Sequence, residues 1–129
     1  MFVFLRNRRL QIARRYIEAA NANDLKAVGD MIPEDFAFVD NAGTPLVGKQ
    51  QNLAAIARLH RIAPGFRIEI AKMSVRGSNV LVKGRSTSEE PRLNTDTQWR
   101  LTIEGGKVVE VQSFGPEILP SLSRMLGED

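Results

Sequence analysis

Residues 34–49, EDFAFVDNAGTPLVGK, contain a short alternating stretch that ends in a carboxylate. Side chains two apart in a strand share a face, so Phe36, Phe38 and Asp40 are predicted to point to the same side. Two aromatic side chains belong in a hydrophobic core, whereas an unpaired buried carboxylate is costly or has a raised pKa. Either a turn or a functional site must therefore account for Asp40.

Apolar residues at helical spacing predict helices on both sides of this strand. The stretch RRLQIARRYIEAANANDLKAVGDMI, residues 8–32, predicts one helix that ends at NAND and a short second helix capped by Asp24. A third helix is predicted in KQQNLAAIARLHRIA, residues 49–63, before Pro64-Gly65. His60, the only histidine, is interpreted as a residue at the end of that helix and not as a catalyst.

Four strands are predicted after the third helix: FRIEIAKMSVR, NVLVKGRSTS, NTDTQWRLTIE and KVVEVQSF, with turn signals between them. In the first of these strands the alternation of apolar residues shifts by one position, from Phe66, Ile68 and Ile70 to Met73 and Val75, which predicts a bulge near Ala71. Helices followed by an antiparallel meander indicate a single α+β domain over residues 1–129, with a curved sheet and helices on its concave side. Residues 1–8 are expected to be disordered or extended, and residues 117–129 to form a C-terminal helix or tail.

Composition excludes several kinds of chemistry. The chain has 129 residues, no cysteine and one histidine, so disulfides, thiolate metal sites and histidine clusters are excluded. We expect no metal and no cofactor. No segment is long and apolar enough for a membrane span or a signal peptide, so a cytoplasmic protein without a membrane partner is expected. The arginines before Glu18 lack a recognised module or stacking aromatics, which favours a solvated helix face over a nucleic-acid partner.

The order of elements resembles that of the nuclear-transport-factor-2-like superfamily. The resemblance rests on RRYIEAANANDLKAVGDMIPEDFAFVDNAGTPLVGK and TQWRLTIEGGKVVEVQSF and covers the chain from about Leu10 to Phe114. Within the superfamily, the ketosteroid isomerases and the SnoaL-like polyketide cyclases are most similar. The resemblance implies a cone-shaped, cystatin-like fold in which a strongly curved, mostly antiparallel mixed sheet wraps around three helices. It implies less about function, because this fold also carries dehydratases, epoxide hydrolases and non-catalytic domains.

Carried over residue by residue, the resemblance to ketosteroid isomerases implies a catalytic site. Asp40 falls at the position of the catalytic base, and Tyr16 at that of the tyrosine that donates to the substrate oxyanion. Thr97 stands where those enzymes have a protonated aspartic acid, which implies a weaker oxyanion site. Asp96 is expected to face the other side of its strand. The residues expected to line a hydrophobic pocket are Phe36, Phe38, Met73, Trp99 and Phe114.

Three functions are compatible with this pattern. The first is a cofactor-free enzyme that isomerises or cyclises a hydrophobic carbonyl compound by proton transfer, with Asp40 as base and Tyr16 as donor. The second is a non-catalytic dimeric domain that holds a small apolar ligand or associates with a partner; Asp40 then only caps a turn, and Tyr16 is a core residue. The third, epoxide hydrolysis, is weaker because the expected Asp, Arg and Asp set has no counterpart. A homodimer through the outer face of the sheet is expected in either of the first two cases.

Overall fold

A computed structural model describes residues 2–116 and 121–127 of the chain. The elements, in chain order, are α1 (Phe2–Asn21), α2 (Leu25–Met31), β1 (Ala37–Val39), β2 (Pro45–Val47), α3 (Lys49–Ile62), β3 (Arg67–Arg76), β4 (Asn79–Thr87), a 3₁₀ turn (Pro91–Leu93), β5 (Thr95–Glu104), β6 (Lys107–Phe114) and α4 (Leu122–Gly127). The predicted α+β class is confirmed. No helix in the described ranges is long and apolar enough to cross a membrane.

The six strands form one sheet in the order β2-β1-β6-β5-β4-β3. All neighbouring pairs are antiparallel except β1 and β6, which run parallel with Phe38 beside Val111. A mixed, mostly antiparallel sheet is therefore confirmed, while its strong curvature stays an expectation. The long strands alternate between buried and exposed residues, so one face of the sheet meets the helices and the other meets solvent.

The main core lies between α1 and the inner face of the sheet. Burial of each large apolar side chain there contributes about 1.5–3 kcal/mol. Its best-buried members are Ala13, Ile17, Val28, Ile32, Phe36, Val80, Val82, Leu101, Ile103 and Val108. A second, smaller cluster joins α3 to α4 through Ala55, Leu59, Ala63, Leu93 and Leu126. The two clusters together hold helices α1 to α4 over one face of the sheet.

The bulge predicted near Ala71 is present. The pairing of β3 with β4 shifts register between Ile70 and Lys72, which leaves Ala71 as the extra residue. On the partner strand, a Cβ atom on Gly84 would lie 2.0 Å from the carbonyl oxygen of Glu69. The close backbone approach beside the bulge therefore requires glycine at position 84.

The two ends of the chain compare differently with what the sequence predicted. Helix α1 begins at Phe2, so the expectation that residues 1–8 are disordered or extended is wrong for the described part of that segment. Leucine and arginine are good helix formers, and neither glycine nor proline interrupts the stretch. At the other end, α4 provides a helix at residues 122–127. Positions 117–120 and 128–129 of the expected helix or tail lie outside the described residues.

Candidate functional site

A cavity lies between the inner face of the sheet and helices α1, α3 and α4. About 130 Å³ of it is open to the centres of water-sized spheres, the order of size of an engineered cavity, ~150 Å³, that holds benzene. Its walls are mostly apolar, with Phe38, Ile56, Leu59, Ile68, Val111 and Leu126 among them. Asp40 is the only charged side chain among the described residues of the wall. The cavity therefore has room for a small, mostly apolar ring compound.

The carboxylate of Asp40 lies at the end of β1 and is only 2% exposed. Its Oδ1 accepts hydrogen bonds from the backbone N–H groups of Ala42 at 3.0 Å and Thr44 at 2.9 Å. Its Oδ2 accepts one from the backbone N–H of Ser123, in the first turn of α4, at 2.8 Å. A carboxylate has about four lone-pair sites, so these three bonds leave about one for a ligand. The charge is thus satisfied by the backbone of its own turn and of a distant helix.

Tyr16 lies on the inward face of α1 and is 8% exposed. Its ring contacts that of Phe36 at a centroid distance of 6.1 Å and a tilt of 38°. Burial raises the pKa of Tyr16, so its hydroxyl stays protonated well into the alkaline range. Within residues 2–116 and 121–127, that hydroxyl has no hydrogen-bond partner. Tyr16 lines the cavity with a donor that is available to a ligand.

Trp99 provides a second such donor from β5. It is 6% exposed, it lines the cavity, and its indole N–H has no acceptor in the described part of the chain. Among the described residues, every fully enclosed side-chain nitrogen or oxygen has a hydrogen-bond partner. The unpaired groups of Tyr16 and Trp99 are therefore not sealed in the core but have access to open space. The open space that both residues border is the cavity.

Strand register places Trp99 and Asp40 in one row across the sheet. Val39 lies beside Gln112 in the parallel pair, so Asp40, the next residue, comes beside Ser113. Ser113 is in turn paired with Trp99. Two strand spacings of about 4.8 Å separate the backbones of Asp40 and Trp99 by roughly 10 Å. The carboxylate and the indole therefore flank the part of the cavity floor that Ser113 occupies.

Thr97 lies two residues before Trp99 on the same face of β5 and also lines the cavity. Its hydroxyl oxygen is 2.7 Å from the hydroxyl oxygen of Thr95. Thr95 Oγ1 is 3.1 Å from Ser86 Oγ, and Ser86 Oγ donates to the carbonyl oxygen of Leu93 at 2.5 Å. Three hydroxyls thus form a chain along the cavity wall. Asp96, as expected, faces the other side, where it pairs with Arg85 at 3.0 Å.

Two of the five expected wall residues, Phe38 and Trp99, line the cavity. Phe36 and Met73 do not line it, because they pack in the main core instead. Phe114 is also displaced from the expected position: it is 44% exposed, and the guanidinium carbon of Arg100 lies 5.7 Å from its ring centre. Ser113 faces inward, so strand alternation turns Phe114 to the outer face.

Several polar residues that close the cavity were missed from the sequence. The side-chain amide of Asn21 exchanges two hydrogen bonds with the backbone of Ile68, at 2.8 and 3.0 Å, and joins the end of α1 to β3. Asn52 donates to the carbonyl oxygens of Leu46 and Gly48. A buried asparagine on an otherwise apolar helix face was a usable signal for Asn52. His60 Nε2 donates to the carbonyl oxygen of Ala20 at 2.8 Å and lies outside the cavity wall.

No group of three or more side chains that could hold a metal ion occurs in the described ranges. Fold and cavity together define a small α+β domain with a mostly apolar cavity lined by the described residues. Residues 13–111 match the model of the SnoaL-like domain family, so the chain belongs to that family. No curated protein sequence matches the chain significantly.

Solved structures that match the chain have names that suggest several different functions. A proposed SnoaL-like polyketide cyclase from Jannaschia sp. CCS1 matches with a TM-score of 0.75 and 18% identity, over 85% of this chain and 86% of that one. A proposed ketosteroid isomerase from Kribbella flavida matches with a TM-score of 0.72 and 18% identity, over 87% and 80%. An epoxide hydrolase of M. tuberculosis resembling limonene epoxide hydrolase matches with a TM-score of 0.74 and 12% identity, over 86% and 84%. At these identities the likeness shows the fold alone.

Proposed function

We propose that this protein binds a small, mostly apolar carbonyl compound in the cavity and catalyses proton transfer on it, as an isomerase or a cyclase would. One observation carries the proposal: a single apolar cavity brings together one carboxylate, Asp40, and two unpaired hydrogen-bond donors, Tyr16 and Trp99. Apolar walls with a few convergent polar groups are typical of small-molecule sites.

The chemistry assigned to these groups is removal of a proton from the carbon next to a carbonyl group. The free lone pair of Asp40 Oδ2 forms an O–H bond with that proton, and the electron pair of the broken C–H bond moves to the carbonyl oxygen. Tyr16 and Trp99 donate hydrogen bonds to the enolate oxygen as its charge develops; a preorganised donor of this kind contributes about 2.7–4 kcal/mol. Return of the proton to another carbon completes an isomerisation.

The second candidate is a ligand-binding domain without catalysis. The three backbone N–H bonds to Asp40 favour it, because they are sufficient to explain why a carboxylate stands at the end of β1. In that case the cavity still takes a small apolar ligand, and Asp40 only holds the turn and α4. We do not propose epoxide hydrolysis, since the described residues of the cavity wall include no arginine and no second aspartate.

Two independent readouts separate these candidates. Binding of cyclohexanone and related ring ketones is followed by the fluorescence of Trp99, the only tryptophan of the chain, which lies at the cavity. Catalysis is followed by exchange of the ketone's α-hydrogens with deuterated solvent and by conjugation of a β,γ-unsaturated cyclic ketone. We expect Asp40→Asn to abolish exchange and Tyr16→Phe to slow it about 10²–10³-fold. Ketone binding without any exchange in the wild type would leave only the binding domain.

The matched control for Asp40→Asn is Asp35→Asn. Asp35 is exposed and makes no hydrogen bond or ion pair with the described residues, so its substitution removes the same charge without touching the cavity. Exchange in this control is expected to equal that of the wild type. Loss of activity in both variants would point to a general charge effect and would remove the argument for Asp40 as the base.

A further inference from the structure

We propose that Thr97 presents a hydrogen-bond acceptor to the ligand, and hence that the natural ligand carries a hydroxyl or N–H group in addition to its carbonyl oxygen. The inference rests on the proposed function only in that it places the ligand in the same cavity; it does not depend on proton transfer. Thr97 is the specificity-determining residue in this proposal. It replaces the donor role that the resemblance to ketosteroid isomerases implied for this position.

The direction of each bond in the chain of three hydroxyls is set by where the hydroxyl hydrogens can go. A carbonyl oxygen only accepts, so the 2.5 Å bond between Ser86 Oγ and the carbonyl oxygen of Leu93 uses the single hydroxyl hydrogen of Ser86. The 3.1 Å contact between Ser86 and Thr95 then needs its hydrogen from Thr95. With that hydrogen committed, the 2.7 Å contact between Thr95 and Thr97 needs the hydrogen of Thr97.

The opposite direction is less favourable. If Thr95 donated to Thr97, the oxygens of Ser86 and Thr95 would lie 3.1 Å apart with no hydrogen between them. The one other acceptor in reach of the Thr97 hydroxyl is the carbonyl oxygen of Thr95, at 3.4 Å. Both acceptors that the described residues offer to the Thr97 hydroxyl thus belong to Thr95, so its hydrogen is bonded within the protein and is not left for a ligand.

The hydroxyl hydrogen of Thr97 is used within the protein, whereas the lone pairs of its oxygen are not. With the hydrogens placed in this direction, no described group donates to the hydroxyl oxygen of Thr97, although Thr97 is 5% exposed and borders the cavity. A buried acceptor without a donor lowers the affinity for ligands that leave it unpaired and favours those that donate to it. The side chain therefore selects for a donor on the ligand.

The positions of Thr97 and Trp99 along β5 indicate how far apart the ligand's polar groups should be. Thr97 and Trp99 are two residues apart on one strand face, so their backbones are about 7 Å apart. A ligand that accepts from Trp99 and donates to Thr97 therefore needs two separate polar groups some distance apart. A ring ketone with a hydroxyl opposite the carbonyl has this arrangement and matches the size of the cavity.

Three ring ketones test the proposal on the wild-type protein. Each is cyclohexanone with one substituent opposite the carbonyl: hydroxyl, methoxy or methyl. The hydroxyl compound can donate, the methoxy compound can only accept, and the methyl compound can do neither. We expect the hydroxyl compound to bind about three- to tenfold more tightly than the methyl compound, and the methoxy compound to show no such gain. Dissociation constants come from Trp99 fluorescence, with calorimetry as a second measurement.

Two variants of Thr97 complete the test. Thr97→Val removes the acceptor at nearly constant shape and is expected to abolish the preference for the hydroxyl compound. Thr97→Ser keeps the hydroxyl and is expected to retain it, so this pair separates the acceptor from a packing effect. Equal affinity for the hydroxyl and methyl compounds in the wild type, or a preference that persists in Thr97→Val, would overturn the proposal. If the methyl compound binds and exchanges its hydrogens while the hydroxyl gives no gain, only this inference fails; if no ketone binds, the proposed function fails with it.

Discussion

Replacing Asp40 with asparagine tests how much of the fold depends on one carboxylate. Asparagine retains an oxygen that can accept from Ala42 and Thr44, but its Nδ2 takes the place of Oδ2 and brings a donor against the N–H of Ser123. Hydrogen bonds to a charged group contribute about 1.5–3 kcal/mol each, roughly twice as much as neutral ones. One such bond is lost and two are weakened by about half, so we expect Asp40→Asn to lower the free energy of unfolding by roughly 3–6 kcal/mol.

The assay is equilibrium unfolding in urea, with Asp35→Asn as the control for loss of an exposed negative charge. The control is expected to lie within about 0.5 kcal/mol of the wild type, as surface substitutions usually do. A second comparison, Ser123→Ala, removes only the bond from Ser123 Oγ to the carbonyl oxygen of Thr44, at 2.9 Å, and leaves the N–H that binds Asp40. We expect it to cost about 1 kcal/mol. If Asp40→Asn were as stable as Asp35→Asn, the three bonds would not hold the carboxylate, and its burial would need another explanation.

Three further predictions concern backbone packing, pH and assembly. Gly84→Ala is expected to destabilise the protein by about 1–3 kcal/mol or more in urea unfolding, because its Cβ would overlap backbone atoms of β3. Gly29→Ala in α2 is the matched control: its Cβ would meet only Leu53 Cδ1, at 3.4 Å, so it should be neutral or stabilising. Burial raises the pKa of Tyr16 above its ordinary value of 10.0, so the unfolded chain ionises first and the free energy of unfolding should fall as the pH rises above 10.0. Tyr16→Phe should remove this part of the decline, and tyrosinate absorbance reports directly on Tyr16, the only tyrosine. We propose a homodimer through the outer face of the sheet, where Leu81 and Phe114 are exposed; sedimentation at micromolar concentration should give twice the monomer mass, and a monomer there would contradict it.

Local patterns in the sequence were sufficient for most of the fold. The bulge at Ala71 was predicted from a one-residue shift in the alternation of apolar residues. Asp24 caps α2, as its side chain and position predicted. These features depend on residues within a few positions of each other, where periodicity and turn chemistry act directly. The same kind of reasoning placed Asp40 and Phe36 on one face but could not decide what surrounds the carboxylate.

What the sequence did not predict depends on contacts between distant segments. Ser123, which donates to Asp40, lies 83 residues away, and no pattern in either segment indicates the other. The direction of hydrogen bonding at Thr97 likewise requires the distances to Thr95 and Ser86, because a threonine in a sequence is equally able to donate and to accept. Phe114 was misplaced because an aromatic residue at the end of a strand suggests a core position, whereas its inward neighbour Ser113 fixes the opposite face.

If Asp40 is the base, as we propose, its structural and catalytic roles are physically coupled. When the carboxylate takes a proton from a ligand, its charge disappears, and the hydrogen bonds from Ala42, Thr44 and Ser123 weaken by about half. Helix α4, whose Leu122 and Leu126 form part of the cavity wall, is therefore held less firmly at the enolate stage than in the resting protein. The donors Tyr16 and Trp99 have to offset that loss by stabilising the new charge on the ligand oxygen. In the proposed reaction, the three bonds that hold Asp40 stabilise the closed site before proton transfer, and both donors are needed to offset their weakening afterwards.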